Sequence, residues 1–264
     1  MINFSEILWK PRKSGSSGQS GRSRETTPEL QRVPVDEVKV DPETRIAMVL
    51  DPRSPAADRF RFLRMKLREV KDAVQLRSLV ITSALPQDGK STTALNLATA
   101  LSEKGKRNVL LIEADLYHPT LASRLGLKQL PGLAECLEED SNPIEALRRI
   151  EPLGFYLLPA GTTNANPTEL LQEESLARVI QTLTPMFDWV LIDTPPVAPL
   201  TDAILLSRLV DASLLVVRAG HTPEKAVEEA VNLLGQSHVL GIIFNCAEGL
   251  DRLYSAYYGY YGKK

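Results

Sequence analysis

An ammonium group and two hydroxyls follow a glycine in Gly89-Lys90-Ser91-Thr92, at the end of the stretch Ser83-Ala-Leu-Pro-Gln-Asp-Gly89-Lys90-Ser91-Thr92. Residues of these types suit phosphate chemistry when they join a strand to a helix. The backbone N–H groups of such a loop and the positive end of the helix meet phosphate oxygens, and glycine lets the backbone come close. Lys90 would neutralise charge on the terminal phosphates of a nucleoside triphosphate. Ser91 would offer its hydroxyl to magnesium, and Thr92 would reach an α-phosphate oxygen. Ala84 stands where the full G-x-x-x-x-G-K-[ST] pattern has its first glycine, so the loop is a variant of that pattern.

Magnesium needs hard oxygen ligands, which in open α/β sheets sit at the ends of neighbouring apolar strands. Two stretches end that way. Trp189-Val-Leu-Ile-Asp193-Thr-Pro-Pro196 closes an apolar run with one carboxylate, and Val109-Leu-Leu-Ile-Glu113-Ala-Asp115 closes another with two. Unpaired buried carboxylates are costly, so their place near Lys90 points to cation and phosphate binding. Helix capping is the competing role for all three.

These side chains must be positioned by a sheet. Short apolar runs at 79–82, 109–112, 155–158, 189–192, 214–217 and 239–244 alternate with helical patterns, which predicts six strands of a parallel sheet covered on both faces. Ala94, Leu97, Ala98 and Leu101 repeat at helical spacing after the phosphate loop, with Gly105 as a natural stop. Ser54-Pro55 reads as a capped helix start, running to about Lys71, and Thr222-Pro223 opens a further helix that ends at Gly235. On the first of these helices Asp58, Arg61 and Arg64 share one side. Asp58 can pair with Arg61, leaving arginine to meet other carboxylates, or the group is simply a solvated charged face.

Composition excludes several classes. Lys+Arg 31 against Asp+Glu 33 gives a net charge of −2, without the basic field of a nucleic-acid binder. Cys136 and Cys246 lack any paired spacing, and three histidines are scattered, so neither a disulfide framework nor a zinc site is indicated. No apolar run is long enough to span a membrane and no signal peptide is legible, which places the chain in the cytoplasm. Residues 14–24 are rich in Gly and Ser, and the stretch 14–50 is expected to be a flexible linker and extended lead-in before a domain at 51–250. Residues 1–13 combine apolar side chains with a basic flank, as a docking peptide or as an ordinary start segment. Five of the seven tyrosines, Tyr254, Tyr257, Tyr258, Tyr260 and Tyr261, crowd into the tail 251–264. Such a cluster suits phosphate acceptors, with a docking segment or an edge strand as the alternative.

Taken in order, S-A-L-P-Q-D-G-K-S-T, L-L-I-E-A-D, L-I-D-T-P-P, L-L-V-V-R-A-G-H-T and the tyrosine tail resemble the bacterial tyrosine kinases of capsule and exopolysaccharide systems, relatives of the MinD/ParA ATPases. The resemblance runs from about Asp51 to the C-terminus. It implies an α/β P-loop NTPase fold with a mostly parallel sheet flanked by helices, ATP and Mg2+ as cofactors, and autophosphorylation of the tyrosine cluster, between subunits. It also implies that Pro86, Asp88, Gly89, Lys90, Ser91, Thr92 and Asn245 line the nucleotide, with Asn245 at the adenine. Ser91, Glu113 and Asp193 would form the magnesium sphere, and Lys90, Asp115 and Asp193 would be catalytic, Asp115 accepting the tyrosine proton. Asp58, Arg61 and Arg64 match the family's E-x-x-R-x-x-R self-association motif with aspartate in place of glutamate, which implies a ring-like homo-oligomer. A membrane protein of the polysaccharide chain-length-regulator type is the implied activating partner, and it would recruit the chain to the inner membrane face. Two positions depart from the family's D-x-D-x-R pattern: Glu113 stands for the first aspartate and Tyr117 for the arginine. A MinD/ParA-like ATPase that controls assembly of a partner complex without kinase activity is the alternative.

Overall fold

Five of the six apolar runs form inner strands buried on both sides, so alternate residues must find cover on opposite faces, while the run at 239–244 forms an edge strand. The computed structural model describes residues 27–171, 174–198 and 201–247. Residues 1–13, the Gly/Ser stretch at 14–24 and the tail tyrosines lie outside the described residues. In chain order the elements are α1 (Pro28–Gln31), β1 (Val35–Glu37), α2 (Ala47–Leu50), α3 (Pro55–Val74), β2 (Ser78–Ser83), α4 (Lys90–Ser102), β3 (Val109–Glu113), α5 (Leu121–Arg124), α6 (Leu133–Glu138), β4 (Arg148–Glu151), β5 (Phe155–Leu158), α7 (Pro167–Leu171), α8 (Glu174–Leu183), β6 (Trp189–Asp193), α9 (Asp202–Ser207), β7 (Ala212–Arg218), α10 (Glu224–Leu234) and β8 (Val239–Asn245). The strands lie in the order β1-β4-β5-β3-β6-β2-β7-β8, with β4 antiparallel to β5 and the other neighbours parallel.

Helices cover both faces, as the doubly buried strands require. Leu79 and Ile81 of β2 pack with Leu63 and Leu67 of α3 and Leu97 and Leu101 of α4. Val80, between them, faces the opposite layer with Leu176, Val179 and Ile180 of α8. The register sets Glu113 of β3 opposite Asp193 of β6, and Asp193 opposite Ile81 of β2. The acidic strand ends therefore stand beside the exit of β2 into the phosphate loop.

Local signals explain the helix starts. Ser54 Oγ accepts the Ala57 N–H at 3.2 Å, with Pro55 in the first turn of α3. Helix α3 runs past the expected end near Lys71 to Val74. Helix α4 stops at Ser102, short of Gly105, because Glu103 and Lys104 already take left-handed φ values of 50° and 61°.

Two expectations change. The sheet contains β1 and β4 in addition to the six expected strands. Both are charged, Val-Asp-Glu and Arg-Arg-Ile-Glu, and their polar side chains pair with each other. Arg148 reaches both oxygens of Asp36 at 2.6 and 2.8 Å, while only Ile150 of β4 enters the core. The lead-in expected up to residue 50 belongs, from Thr27 onward, to the packed unit: Leu30, Val33, Val38 and Ile46 are all buried. Buried Asn96 of α4 ties this segment down. Its amide donates to Arg45 O and Thr92 O, both at 2.9 Å, and its Oδ1 accepts the Ala47 N–H at 2.9 Å. Asn96→Ala is expected to cost about 1–3 kcal/mol by stripping partly buried backbone groups of their partners. Chemical denaturation measures that loss, and an unchanged midpoint would show the segment to be held by other means.

Candidate functional site

The loop from β2 to α4 places Lys90 in the first turn of a helix whose N-cap is Gly89, with φ of +96°. A side chain at Gly89 would be strained, and its Cβ would lie 2.0 Å from Asn245 Nδ2. The loop is braced from within and from the β7 and β8 ends. Asp88 is fully buried. Its Oδ2 accepts the Leu85 N–H at 3.1 Å, and its Oδ1 accepts the Thr222 hydroxyl at 2.7 Å. Asn245 Nδ2 donates to the Asp88 carbonyl at 2.9 Å, and Thr222 Oγ1 accepts the Arg218 N–H at 3.1 Å. Asp88 and Asn245, expected to line the nucleotide, hold the loop in shape with these polar groups, because the loop backbone needs partners of its own. Beside Asn245, residues Arg218, Ala219, Gly220, His221, Cys246 and Ala247 line a cavity of about 560 Å³.

Lys90 meets the acidic strand ends as expected. Its Nζ lies 2.7 Å from Asp115 Oδ2 and 3.3 Å from Ser91 Oγ. Asp115 Oδ1 accepts the His118 N–H at 3.1 Å. Asp193 is buried, and its Oδ1 has no hydrogen-bond partner. Burial pushes its carboxyl up to about 6; Lys90 and the Ser91 hydroxyl pull the other way, while Asp115 and Glu113 push further up.

Glu113, expected at the metal, is engaged with backbone amides. Its Oε1 accepts the N–H groups of Thr120 and Leu121, and its Oε2 accepts that of Ala160 at 3.3 Å. Both oxygens serve the backbone, so Glu113 braces the entry to α5. Burial raises its carboxyl and these amides oppose the rise. Tyr117 turns to Thr168, with 2.8 Å between the two hydroxyl oxygens, and Thr168 Oγ1 donates to buried Asp202 at 2.9 Å.

An orphaned carboxylate oxygen beside a hydroxyl supplies the hard oxygen ligands a divalent ion takes, and the neighbouring ammonium suits the phosphates that would accompany it. Asp193 and Ser91 therefore fit Mg2+. No group of three or more His, Cys, Asp or Glu suited to a metal occurs among the described residues. Mg2+ is typically held by one or two carboxylates together with waters and substrate phosphates.

On α3, Arg61 Nη1 lies 2.6 Å from Asp58 Oδ1 and its Nη2 donates to Pro52 O at 2.5 Å, whereas Arg64 Nη1 donates to Ala100 O at 3.2 Å. Phe62 and Met65 stand exposed between and beside them. Sequence reasoning missed Thr222, which only the return of β7 brings to the loop. It also missed Arg124, whose Nη1 donates to Thr92 Oγ1 at 2.9 Å. Thr222 lies in the L-L-V-V-R-A-G-H-T stretch without any sign of its contact to Asp88, and Arg124 lies in no recognisable pattern.

The raised Asp193 carboxyl sets a pH dependence. The folded state retains a proton that the unfolded chain releases between about pH 4 and 6, so this group lowers stability as pH rises through that window. The full cost above it is about 3 kcal/mol. Asp193→Asn, unfolded thermally without Mg2+ or nucleotide, is expected to be stabilised near neutral pH by up to that amount and to lose the decline. A variant equally or less stable at every pH would contradict the assigned environment.

Residues 87–234 match the family model described as an AAA domain. The tyrosine-protein kinase YwqD of Bacillus subtilis (strain 168) is 33% identical over 224 residues, which cover 84% of this chain and 93% of that protein. The succinoglycan biosynthesis transport protein ExoP of Rhizobium meliloti (strain 1021) is 33% identical over 199 residues, covering 74% of this chain and 25% of that longer protein. Among solved structures, the kinase domain of the Escherichia coli tyrosine kinase ETK superposes with a TM-score of 0.72 at 28% identity, over 76% of this chain and 79% of that one. The septum site-determining protein MinD from Pyrococcus horikoshii OT3, complexed with Mg-ADP, superposes with a TM-score of 0.57 at 26% identity, over 66% of this chain and 71% of that one. Identity of this level sustained over nearly all of YwqD, on a fold shared with the ETK kinase domain, makes the chain a member of the bacterial tyrosine-protein kinase family.

Proposed function

We propose that the chain binds ATP with Mg2+ and transfers a phosphoryl group to tyrosine hydroxyls, foremost those of its own C-terminal cluster at Tyr254, Tyr257, Tyr258, Tyr260 and Tyr261. The observation that carries this reading is the convergence of Lys90, Ser91, Asp115 and Asp193 at the head of α4. Bound Mg-ATP supplies the phosphoryl group, with the metal neutralising charge on its oxygens. Asp193 and Ser91 hold the metal, and the N–H groups of the loop and of the α4 start cradle the phosphates.

Lys90 exchanges Asp115 for the phosphates. That exchange frees Asp115 Oδ2, which receives the proton of the attacking phenol as the phenol oxygen bonds to the γ-phosphorus, the bond from that phosphorus to the bridging oxygen breaks and ADP leaves. A tyrosine hydroxyl has a pKa of about 10, so the proton leaves late and needs only an acceptor within reach. Positioning and charge neutralisation do most of the catalysis, because the transition state is loose. The cavity beside Asn245 is the place for the base, with Asn245 joining it to the loop through Asp88.

Two further proposals extend this reading. The Asp58/Arg61/Arg64 side of α3 assembles copies of the chain into a ring, so that the tail of one subunit enters the site of its neighbour. The system served is exopolysaccharide or capsule synthesis and export, supported by the similarity to ExoP. There a membrane protein of the chain-length-regulator type would recruit and activate the chain, with residues 1–13 as a docking element. No helix among the described residues is long and apolar enough to cross a membrane. The similarity to MinD supports a second reading, an ATPase that lacks tyrosine transfer.

Incubation with ATP and Mg2+ is expected to produce phosphotyrosine on the full chain and none on Lys90→Met. ATP hydrolysis without phosphotyrosine would favour the second reading. When Lys90→Met is mixed with an active, tail-truncated chain, phosphate is expected on the Lys90→Met tail. Its absence would reject transfer between subunits.

A further inference from the structure

Arg124 is a half-buried cation without an acidic partner. Among the described residues no carboxylate lies within ion-pair distance of it, and its guanidinium carries five N–H donors. One of these reaches Thr92 Oγ1 at 2.9 Å, in the first turn of α4, two residues beyond Lys90. Burial lowers its pKa, neighbouring Arg45 lowers it further, and Asp193 opposes them. Removing a cation from water beside a second cation is unfavourable unless an anion completes the arrangement.

The placement of Arg124 is built. Glu113 accepts the N–H groups of Thr120 and Leu121 at the entry to α5, and Arg124 closes that helix a single turn later. The carboxylate expected at the metal thus fixes the short helix that carries the guanidinium. Arg124 then stands over the residue expected at the α-phosphate, on the side of the acidic ligand of the metal.

We infer that Arg124 is a further phosphate-binding residue of the nucleotide site, held over Thr92 by the Glu113-braced helix α5 and supplying a second cation beside Lys90. A planar guanidinium can bridge two phosphate oxygens where an ammonium acts as a point charge. This inference rests on the nucleotide reading of the site.

The test is equilibrium titration of the full chain with Mg-ADP, together with thermal unfolding in the absence of ligand. Arg124→Met is expected to weaken Mg-ADP by about 10-fold or more, in line with loss of a charge-assisted hydrogen bond. Arg124→Lys, which keeps the charge and loses the fork, is expected to fall between the two. Ligand-free melting should stay near that of the unaltered chain, because removing the guanidinium also relieves its repulsion with Arg45. Affinities within about twofold of the unaltered chain for both variants, where 1.4 kcal/mol corresponds to tenfold, would overturn the inference and leave Arg124 a support for Thr92. Should Arg124→Met fail to fold, the Arg124→Lys titration decides by the same criterion. If the unaltered chain itself does not bind Mg-ADP, the nucleotide reading falls and takes this inference with it.

Discussion

Burying carboxylates at the ends of adjacent strands is costly unless cations or N–H donors meet them, and the ammonium of Lys90 is the cation that meets Asp115 here. The parallel register of β3 and β6 sets Glu113 opposite Asp193, and Asp115 follows two residues later. Glu113 is satisfied by backbone amides and Asp115 by Lys90, but one oxygen of Asp193 has no partner. The site is therefore short of positive charge in the absence of ligand. A divalent ion at Asp193 would settle that imbalance, and the phosphates it brings would in turn draw Lys90 away from Asp115. Binding and the release of a proton acceptor are then one event.

Such an exchange requires a loop that does not collapse when its lysine moves. Asp88 supplies this by accepting from Leu85 within the loop and from Thr222 near the end of the β7–α10 connection, while Asn245 grips its carbonyl from the end of β8. Side chains locked by neighbours outside the site keep the phosphate-facing atoms in place, the arrangement expected of a preorganised centre. The same logic applies at Glu113, whose longer side chain braces the entry to α5. On the other flank, Asn96 joins the first turn of α4 to the segment before α2. The elements that hold the proposed nucleotide site thus come from much of the described chain.

The inner strands and the phosphate loop are legible in the sequence because each obeys a local rule: doubly buried strands are continuously apolar, and a strand-to-helix turn that accepts phosphate needs its glycine, lysine and hydroxyls adjacent. Strands β1 and β4 escape those rules. Their place at one margin of the sheet, β1 at the edge and β4 next to it, lets them carry Asp36, Arg148 and Arg149, and the Asp36–Arg148 ion pair joins them. The segment from Thr27 to residue 50 escapes for a similar reason, since a few buried side chains such as Leu30 and Ile46 suffice to dock it and leave no period to detect. At the site, residue types that do chemistry are visible, but their partners are not. Which groups a carboxylate meets is set by the fold, and the contacts of Asp88 with Leu85 and Thr222 and of Glu113 with Thr120, Leu121 and Ala160 have no mark in the sequence. Arg124 and Thr222 reach the site through tertiary placement alone.

Titration of the unaltered chain with ATP, with Mg2+ present and then removed by a chelator, tests the arrangement most directly. The expected result is saturable binding of one nucleotide per chain that weakens by about tenfold or more without the metal, the equivalent of roughly 1.4 kcal/mol of metal-mediated contact. Absence of saturable binding in both conditions would contradict the assignment of Lys90, Ser91 and Asp193 to a common nucleotide site.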